Sequence, residues 1–260
     1  MDLKDFQNDV GRSIGFLSRF PVPGRYFEGH DGSLSRAVRA FPVAGCLIML
    51  PPAALFAILL AVKLEPLLAA LISLAALTII TGALHEDGLS DTADGVGGGR
   101  NREAALAIMR DSRIGSYGAS ALILSYGIRG ACIAAIGGVL NPTAAGLSII
   151  AVAAASRAAL VWHWSTLPPA RRDGVAVSVG GPDEASVSSA LASAAAIVFL
   201  LVWPTAGFAA ACATIAAAGL AVLALTRYIG ARIGGHTGDT IGASQQCAEM
   251  AALAALALFT

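Results

Sequence analysis

The chain has 260 residues, of which 56% are hydrophobic and 13% charged, against about 25% charged residues in an ordinary soluble domain. So few charges could not cover a soluble globule, and the mean hydropathy of +0.72 indicates an integral membrane protein whose surroundings are the lipid bilayer. Seventeen basic residues balance seventeen acidic ones, which predicts no nucleic-acid partner, and the shortage of charge excludes a disordered chain.

The first segment predicts an amphipathic helix. Leu3, Phe6, Val10, Ile14 and Leu17 fall on one narrow helical face, and charged and polar residues occupy the rest. Such a helix lies in the membrane interface, where it anchors or packs. We therefore expect an N-terminal interfacial helix rather than a span.

Seven stretches approach the roughly 20 apolar residues that cross a bilayer core. They are residues 41–62, 66–84, 119–140, 145–166, 190–203, 208–228 and 247–260. The fifth and seventh are short, so the count is six or seven. Many of their residues are Ala or Gly, which lets helix backbones approach closely. The sequence predicts an all-α, polytopic transmembrane bundle, residues 1–260 forming one membrane domain, and leaves homo-oligomer formation open.

The orientation follows from the basic residues. With the N-terminus in the cytoplasm, the other face keeps only Lys63. By the positive-inside rule this orientation is the expected one. It places the polar loops, and any chemistry they perform, on the cytoplasmic side.

Residues 85–95 read HEDGLSDTADG and hold four of the seventeen acidic residues, directly after the second apolar stretch. We expect a loop here, although Asp87, Asp91 and Asp94 would share one face if it were helical. Clustered carboxylates favour Mg²⁺, with Mn²⁺ as the alternative, held together with substrate phosphate oxygens. Glu86, Asp87, Asp91 and Asp94 are therefore candidate metal ligands. The alternative is a solvated loop with helix-capping Asp residues.

The next segment brings positive charge. Glycines at 97–99 allow a tight turn, and Asn101 can cap a short helix that runs through Met109. Arg110 and Arg113 follow, and the forked guanidinium group suits phosphate oxygens. Their alternative role is topological, as positive-inside residues.

Two arginines interrupt apolar spans. An ionisable residue inside the membrane indicates function unless it snorkels or pairs. Arg157, preceded by Ser156, is the stronger candidate for substrate binding, whereas Arg129 is open between a structural and a functional role.

The last polar loop, residues 232–243, reads RIGGHTGDTIGA. Its small residues and hydroxyl groups suit a phosphate or nucleotide cradle. Thr237 and Thr240 are candidate substrate-binding residues, and Asp239 is a further candidate metal ligand. A plain glycine-rich connector is the alternative.

Three ordered motifs resemble the adenosylcobinamide-GDP ribazoletransferase (cobalamin 5′-phosphate synthase) family. They are HEDGLSDTADG at 85–95, IMRDSRIGSYG at 108–118 and GGHTGDTIGA at 234–243. FLSRFPVP at 16–23 and Ser156-Arg157 are similar too, so the resemblance covers essentially the whole chain. Ser90 stands where Ala is usual, and Arg110 replaces a usual Lys.

The resemblance implies a bacterial inner-membrane enzyme of the last step of adenosylcobalamin assembly. Adenosylcobinamide-GDP and α-ribazole, or its 5′-phosphate, would give the cobalamin product and GMP, with Mg²⁺. Asp87, Asp91 and Asp94, helped by Glu86 or Asp239, would hold one or two ions on the diphosphate. His85 is the first choice of catalytic base and His236 the second. The residues expected to bind substrate are Arg110, Asp111, Ser112, Arg113, Gly115, Tyr117, Arg157, Thr237 and Thr240.

Two other functions stay open from the residues. Asp91-Thr92-Ala93-Asp94-Gly95 is similar to the opening of the CDP-alcohol phosphotransferase pattern, and clustered Asp also marks polyprenyl transferases. However, the Ala-Arg after that glycine and the later Gly-x-x-x-Asp-x-x-x-Asp are missing. A cation-coupled transporter would also carry intramembrane Arg, but usually places its acids near mid-span.

Overall fold

The computed structural model describes residues 3–260, leaving aside the side chain of Val175. These residues form two short 3-10 helices, Gly24–Tyr26 and Ala37–Ala40, and eleven α-helices without any extended strand. The α-helices are α1 Leu3–Leu17, α2 Phe41–Ala61, α3 Pro66–Thr81, α4 Leu84–Gly98, α5 Arg102–Ile108, α6 Ser116–Val139, α7 Pro142–Thr166, α8 Val175–Ser178, α9 Glu184–Ala206, α10 Phe208–Ile233 and α11 Gly238–Phe259. The predicted all-α fold is confirmed.

Five helices are long and apolar enough to cross a membrane: residues 37–61, α6, α7, α9 and α10. The pair of α3 and α4 makes a sixth only if it is counted as one span with a 91° bend. The count of seven is not reached in the described residues. The stretch predicted as the seventh span is the second half of α11, whose first half carries Gln245, Gln246 and Glu249.

The bend between α3 and α4 corrects two predictions. The second span ends at Thr81 rather than at residue 84, and the expected acidic loop is helix α4. Gly82 and Ala83 both adopt left-handed backbone angles, with φ of 65° and 60°. Two such residues in a row stop one helix and turn the chain before the next. Because α4 is polar and turns away, we treat α3 as the membrane segment and α4 as lying outside the spans.

Helix α7 lies at the centre of the bundle and is almost entirely buried. The neighbouring helix α2 packs closely on α7 through small residues, as the composition predicted. A Cβ atom on Gly45 of α2 would lie 3.1 Å from the carbonyl oxygen of Ala153, and one on Gly146 would lie 3.2 Å from that of Ala53. These glycines allow α2 and α7 to touch backbone to backbone.

Helix α1 forms where predicted, but it is attached through its polar side. Asp9 is buried and pairs with Arg12 and Arg39, at N–O distances of 3.3 and 2.6 Å. Leu3 is 68% exposed, and Phe6 and Val10 line an open apolar groove with Leu47. The ion pairs therefore hold α1 on the bundle while its apolar face stays partly open.

The polar loops meet at one end of the molecule. Arg102 donates to the carbonyl groups of Ile233 and Ala170 at 2.8 and 2.6 Å. The loop after α7 and the loop before α11 exchange backbone hydrogen bonds, with His236 N donating to Pro168 O and Ala170 N donating to His236 O, both at 2.8 Å. The predicted short helix is confirmed as α5, and Asn101 caps it by accepting from Ala104 N at 2.9 Å.

Gly88 sets the spacing of α4 and α11. A Cβ atom there would lie 2.6 Å from the carbonyl oxygen of Asp239. We expect Gly88→Ala to lower the free energy of unfolding by about 1–3 kcal/mol, because overpacking forces the two backbones apart. Thermal unfolding in detergent micelles measures this. Gly98→Ala on the same helix is the control, since its Cβ meets only the side chain of Ile108 at 3.4 Å; equal effects of the two variants would contradict the prediction.

Candidate active site

An acidic group forms where α4 meets the start of α11. Burial, followed by the charges of Asp87 and Asp239, raises the pKa of Asp91 to about 6. Burial also raises the pKa of Asp239, although Arg171 opposes this with an ion pair of 2.8 Å. In the described residues neither Asp87 nor Asp91 has an ion pair of its own. Three of the predicted carboxylates therefore lie within range of one another's charge, and their charge compensation is incomplete.

His85 and the acidic group share a cavity. His85, Asp87 and Asp239 line a space of about 210 Å³ between α4, α7, α11 and the end of α1. Burial, followed by the charge of Arg157, lowers the pKa of His85 to about 3. The imidazole is therefore neutral at pH 7 and only weakly basic.

His236 lies in the loop before α11 and lines a smaller space of about 120 Å³ with Arg171 and Asp239. Burial lowers its pKa to about 4. Both predicted bases thus lie near Asp239, on different sides of it, and both are unprotonated at neutral pH.

Asp94 lies on α4, but its side chain caps the start of α6. Its carboxylate accepts from the backbone N–H groups of Gly115 and Gly118, at 2.7 and 2.8 Å. These are orphan donors at the start of α6, which a carboxylate also stabilises through the helix dipole. The predicted phosphate contact at Gly115 would therefore have to compete with Asp94, and the helix-capping alternative describes Asp94 well.

Glu86 points into a buried ion-pair quartet, defined as Glu86, Arg129, Arg157 and Glu249. Arg129 contacts Glu86 at 2.9 Å and Glu249 at 3.0 Å, and Arg157 contacts the second oxygen of Glu249 at 3.2 Å. Two positive and two negative charges neutralise each other inside the bundle. Glu86 and Arg157 are therefore engaged away from the acidic group, and Arg157 is only 1% exposed.

The arginines after α5 remain accessible. Arg110 donates to both oxygens of Asp173 at 2.7 and 2.8 Å, and Arg113 pairs with Asp111 at 2.5 Å. Arg113 lowers the pKa of Asp111 to about 2. Exposed pairs contribute little to stability, so a phosphate group could replace the acids. Ser112 and Tyr117 are exposed beside them.

The threonines of the last loop form the start of α11. Thr237 and Thr240 make a reciprocal capping box, and Thr240 also bonds to the Nε2 atom of His163 at 3.2 Å. The hydroxyl group of Thr237 donates to Asp239 at 3.1 Å. Thr237 therefore touches the acidic group, whereas Thr240 is buried behind it.

Sequence reasoning missed Arg171 and Trp164 as site residues. Arg171 stands in an Arg-Arg-Asp run inside an apolar chain, a signal that could have identified it. Trp164 is buried against the cavity, and nothing in its local pattern distinguishes it from an interfacial tryptophan. Gln245 and Gln246, which bond to Glu249 and Glu86, were also missed.

The sequence model of the family described as Cobalamin-5-phosphate synthase matches residues 10–257. The chain belongs to this family. Proteins named adenosylcobinamide-GDP ribazoletransferase from Sinorhizobium medicae (strain WSM419) and Rhizobium etli (strain CIAT 652) are 55% and 54% identical to it. These alignments cover 99% of this chain and 98% and 99% of the relatives. No solved structure matches the chain.

Asp91 predicts a pH dependence of stability. Its carboxyl pKa is about 6 in the folded chain, against 3.8 ordinarily. This group therefore contributes stability that is present below pH 3.8 and is lost as pH rises through about 6. We expect Asp91→Asn to raise the melting temperature at pH 7.5, and to raise it less at pH 5. The exposed Glu103→Gln is the control, and a stabilisation by Asp91→Asn that is equal at both pH values would contradict the assignment.

The quartet predicts a large stability effect. Glu249→Gln removes the acid that both arginines share and leaves one buried positive charge uncompensated. Breaking a buried ion pair from one side costs about 3–5 kcal/mol. Thermal unfolding should therefore shift far more than in Glu103→Gln; equal melting temperatures for the two variants would show that the quartet does not stabilise the fold.

Proposed function

We propose that the chain is an adenosylcobinamide-GDP ribazoletransferase. It would transfer the adenosylcobinamide phosphoryl group to α-ribazole or its 5′-phosphate and release GMP. The observation that carries this proposal is the similarity to relatives of that name, which are 55% and 54% identical over 99% of this chain. The acidic group beside accessible arginines supports it, because phosphoryl transfer depends on positioning and on neutralising charge.

Asp87, Asp91 and Asp239 are the residues that would hold Mg²⁺, with Mn²⁺ as the alternative. Their carboxylate oxygens are ligands that Mg²⁺ prefers, and their incomplete charge compensation favours a cation. Across residues 3–260, no three His, Cys, Asp or Glu side chains are placed so that they could hold a metal ion by themselves. The ion would therefore take further ligands from the diphosphate and from water, and it would supply charge neutralisation there.

The chain's own residues would position and neutralise the reactants. The ribose hydroxyl of the acceptor attacks the phosphorus next to the cobinamide, and the bond from that phosphorus to the GMP oxygen breaks. Arg110 and Arg113 would exchange their exposed acid partners for phosphate oxygens. His85, beside Asp87 and unprotonated at pH 7, would accept the hydroxyl proton.

The proposed location is the bacterial inner membrane, with the N-terminus and the polar end of the bundle in the cytoplasm. The apolar helices support a membrane protein. Arg102, Arg110 and Arg171 lie at the polar end, whereas Lys63 lies in the short link between α2 and α3 at the other end. This asymmetry supports the orientation.

We expect Asp87→Asn and Asp91→Asn each to reduce GMP release from adenosylcobinamide-GDP by about 100-fold or more, because transition-state charge would lose its stabilisation. The assay uses purified protein in detergent with α-ribazole and a Mg²⁺ concentration that just saturates the wild type. Part of the loss should reverse at higher Mg²⁺. Glu103→Gln should retain full activity, and full activity in both Asp variants would remove their metal role.

A further inference from the structure

The cavity that His85, Asp87 and Asp239 border has a second, apolar side. Its remaining walls come from the end of α1, from α4, from one face of α7 and from α11. The large apolar side chains among them are Phe16, Leu17, Leu84, Leu160, Trp164 and Ile241. One end of this space of about 210 Å³ is therefore polar and acidic, and the other is apolar and partly aromatic.

Two residues that line this cavity each carry a buried polar nitrogen without a partner. The indole Nε1 of Trp164 and the imidazole Nε2 of His85 make no hydrogen bond with any described residue, although each side chain is only 2% exposed. An unsatisfied buried polar group costs about 1–3 kcal/mol. Because the indole nitrogen only donates, a ligand that presents an acceptor atom at this wall would relieve that cost.

We infer that this cavity binds the aromatic base of the acceptor nucleoside; this rests on the proposed function. The base of α-ribazole is a flat, dimethylated benzimidazole, apolar except for one ring nitrogen that accepts a hydrogen bond. The apolar walls match its faces and methyl groups, and the indole N–H of Trp164 supplies a donor for the ring nitrogen. The attached ribose then lies toward Asp87 and Asp239.

The other parts of the two substrates fit this space less well. The corrin ring is far larger than a cavity of about 210 Å³. Guanine carries an amide and an amino group that need several polar partners, whereas most of the side chains that line this cavity are apolar. A lipid chain would fill the apolar side but would leave both nitrogens unsatisfied beside carboxylates.

The assignment gives the cavity a role in catalysis. A base packed against the wall of Leu160 and Trp164 carries its ribose at the cavity's polar edge, where His85 and Asp87 lie. The hydroxyl group that attacks phosphorus would therefore be delivered to the acidic group by the fit of the base. Trp164 and Leu160 are positioning residues in this arrangement.

The test separates acceptor binding from donor binding. Trp164→Phe keeps an aromatic ring but removes the N–H donor, and Leu160→Trp fills the apolar side. For Trp164→Phe we expect the KM for α-ribazole to rise about 10-fold, the equivalent of about 1.4 kcal/mol for one hydrogen bond. The KM for adenosylcobinamide-GDP should not change. Leu160→Trp should abolish binding of α-ribazole, measured by the fluorescence of its base without donor present.

Trp162→Phe is the matched control, because Trp162 lies on the same helix but lines a different, lipid-side space between α7, α9 and α10. It should leave both KM values unchanged. An unchanged KM for α-ribazole in both Trp164→Phe and Leu160→Trp, as expected if a lipid chain fills the cavity, overturns the assignment. A change in the KM for adenosylcobinamide-GDP alone, in either variant, also overturns the assignment. If wild-type protein binds α-ribazole, and Leu160→Trp does not, but no GMP is released, the proposed function fails while the cavity assignment stands.

Discussion

The buried quartet of Glu86, Arg129, Arg157 and Glu249 is the constraint on which the site depends. It joins α4 to α6, α7 and α11 through three ion pairs of 2.9–3.2 Å. Replacing one member leaves an unpaired charge in the bundle, whereas the intact set is neutral. Because Glu86 is adjacent to Asp87 in sequence, fixing the first side chain inside the bundle directs the second toward the cavity.

The four acidic residues of α4 have three different roles. Glu86 neutralises a buried arginine, Asp94 caps α6, and Asp87 and Asp91 remain for the acidic group. The division follows from the bend at Gly82 and Ala83, which places a polar helix across the bundle instead of continuing a span. A straight continuation of α3 would have carried these acids beyond reach of the start of α11.

Local signals in the sequence predicted local structure well. Asn101 was correctly placed as a cap, and the short helix after it forms as expected. The helix at 84–98 was missed, because glycines at 82, 88 and 95 resemble a loop and nothing nearby shows that Gly88 packs on the backbone of Asp239. The hydrogen-bond partners of Glu86 and Asp94 could not be predicted from the sequence either. Arg129 and Gly115 are 43 and 21 residues away in the chain.

The carboxylates of the acidic group are only partly compensated by nearby positive charge. Burial, and after it the like charges of Asp87 and Asp239, raise the pKa of Asp91 to about 6, so the folded chain disfavours the ionised form of this carboxyl group. Arg171 compensates Asp239 alone. Arg129 and Arg157 are committed to the quartet, and Arg110 and Arg113 lie exposed beside Asp173 and Asp111. The proposed metal-bound diphosphate would meet both features, the incompletely compensated carboxylates on α4 and the exposed guanidinium groups after α5.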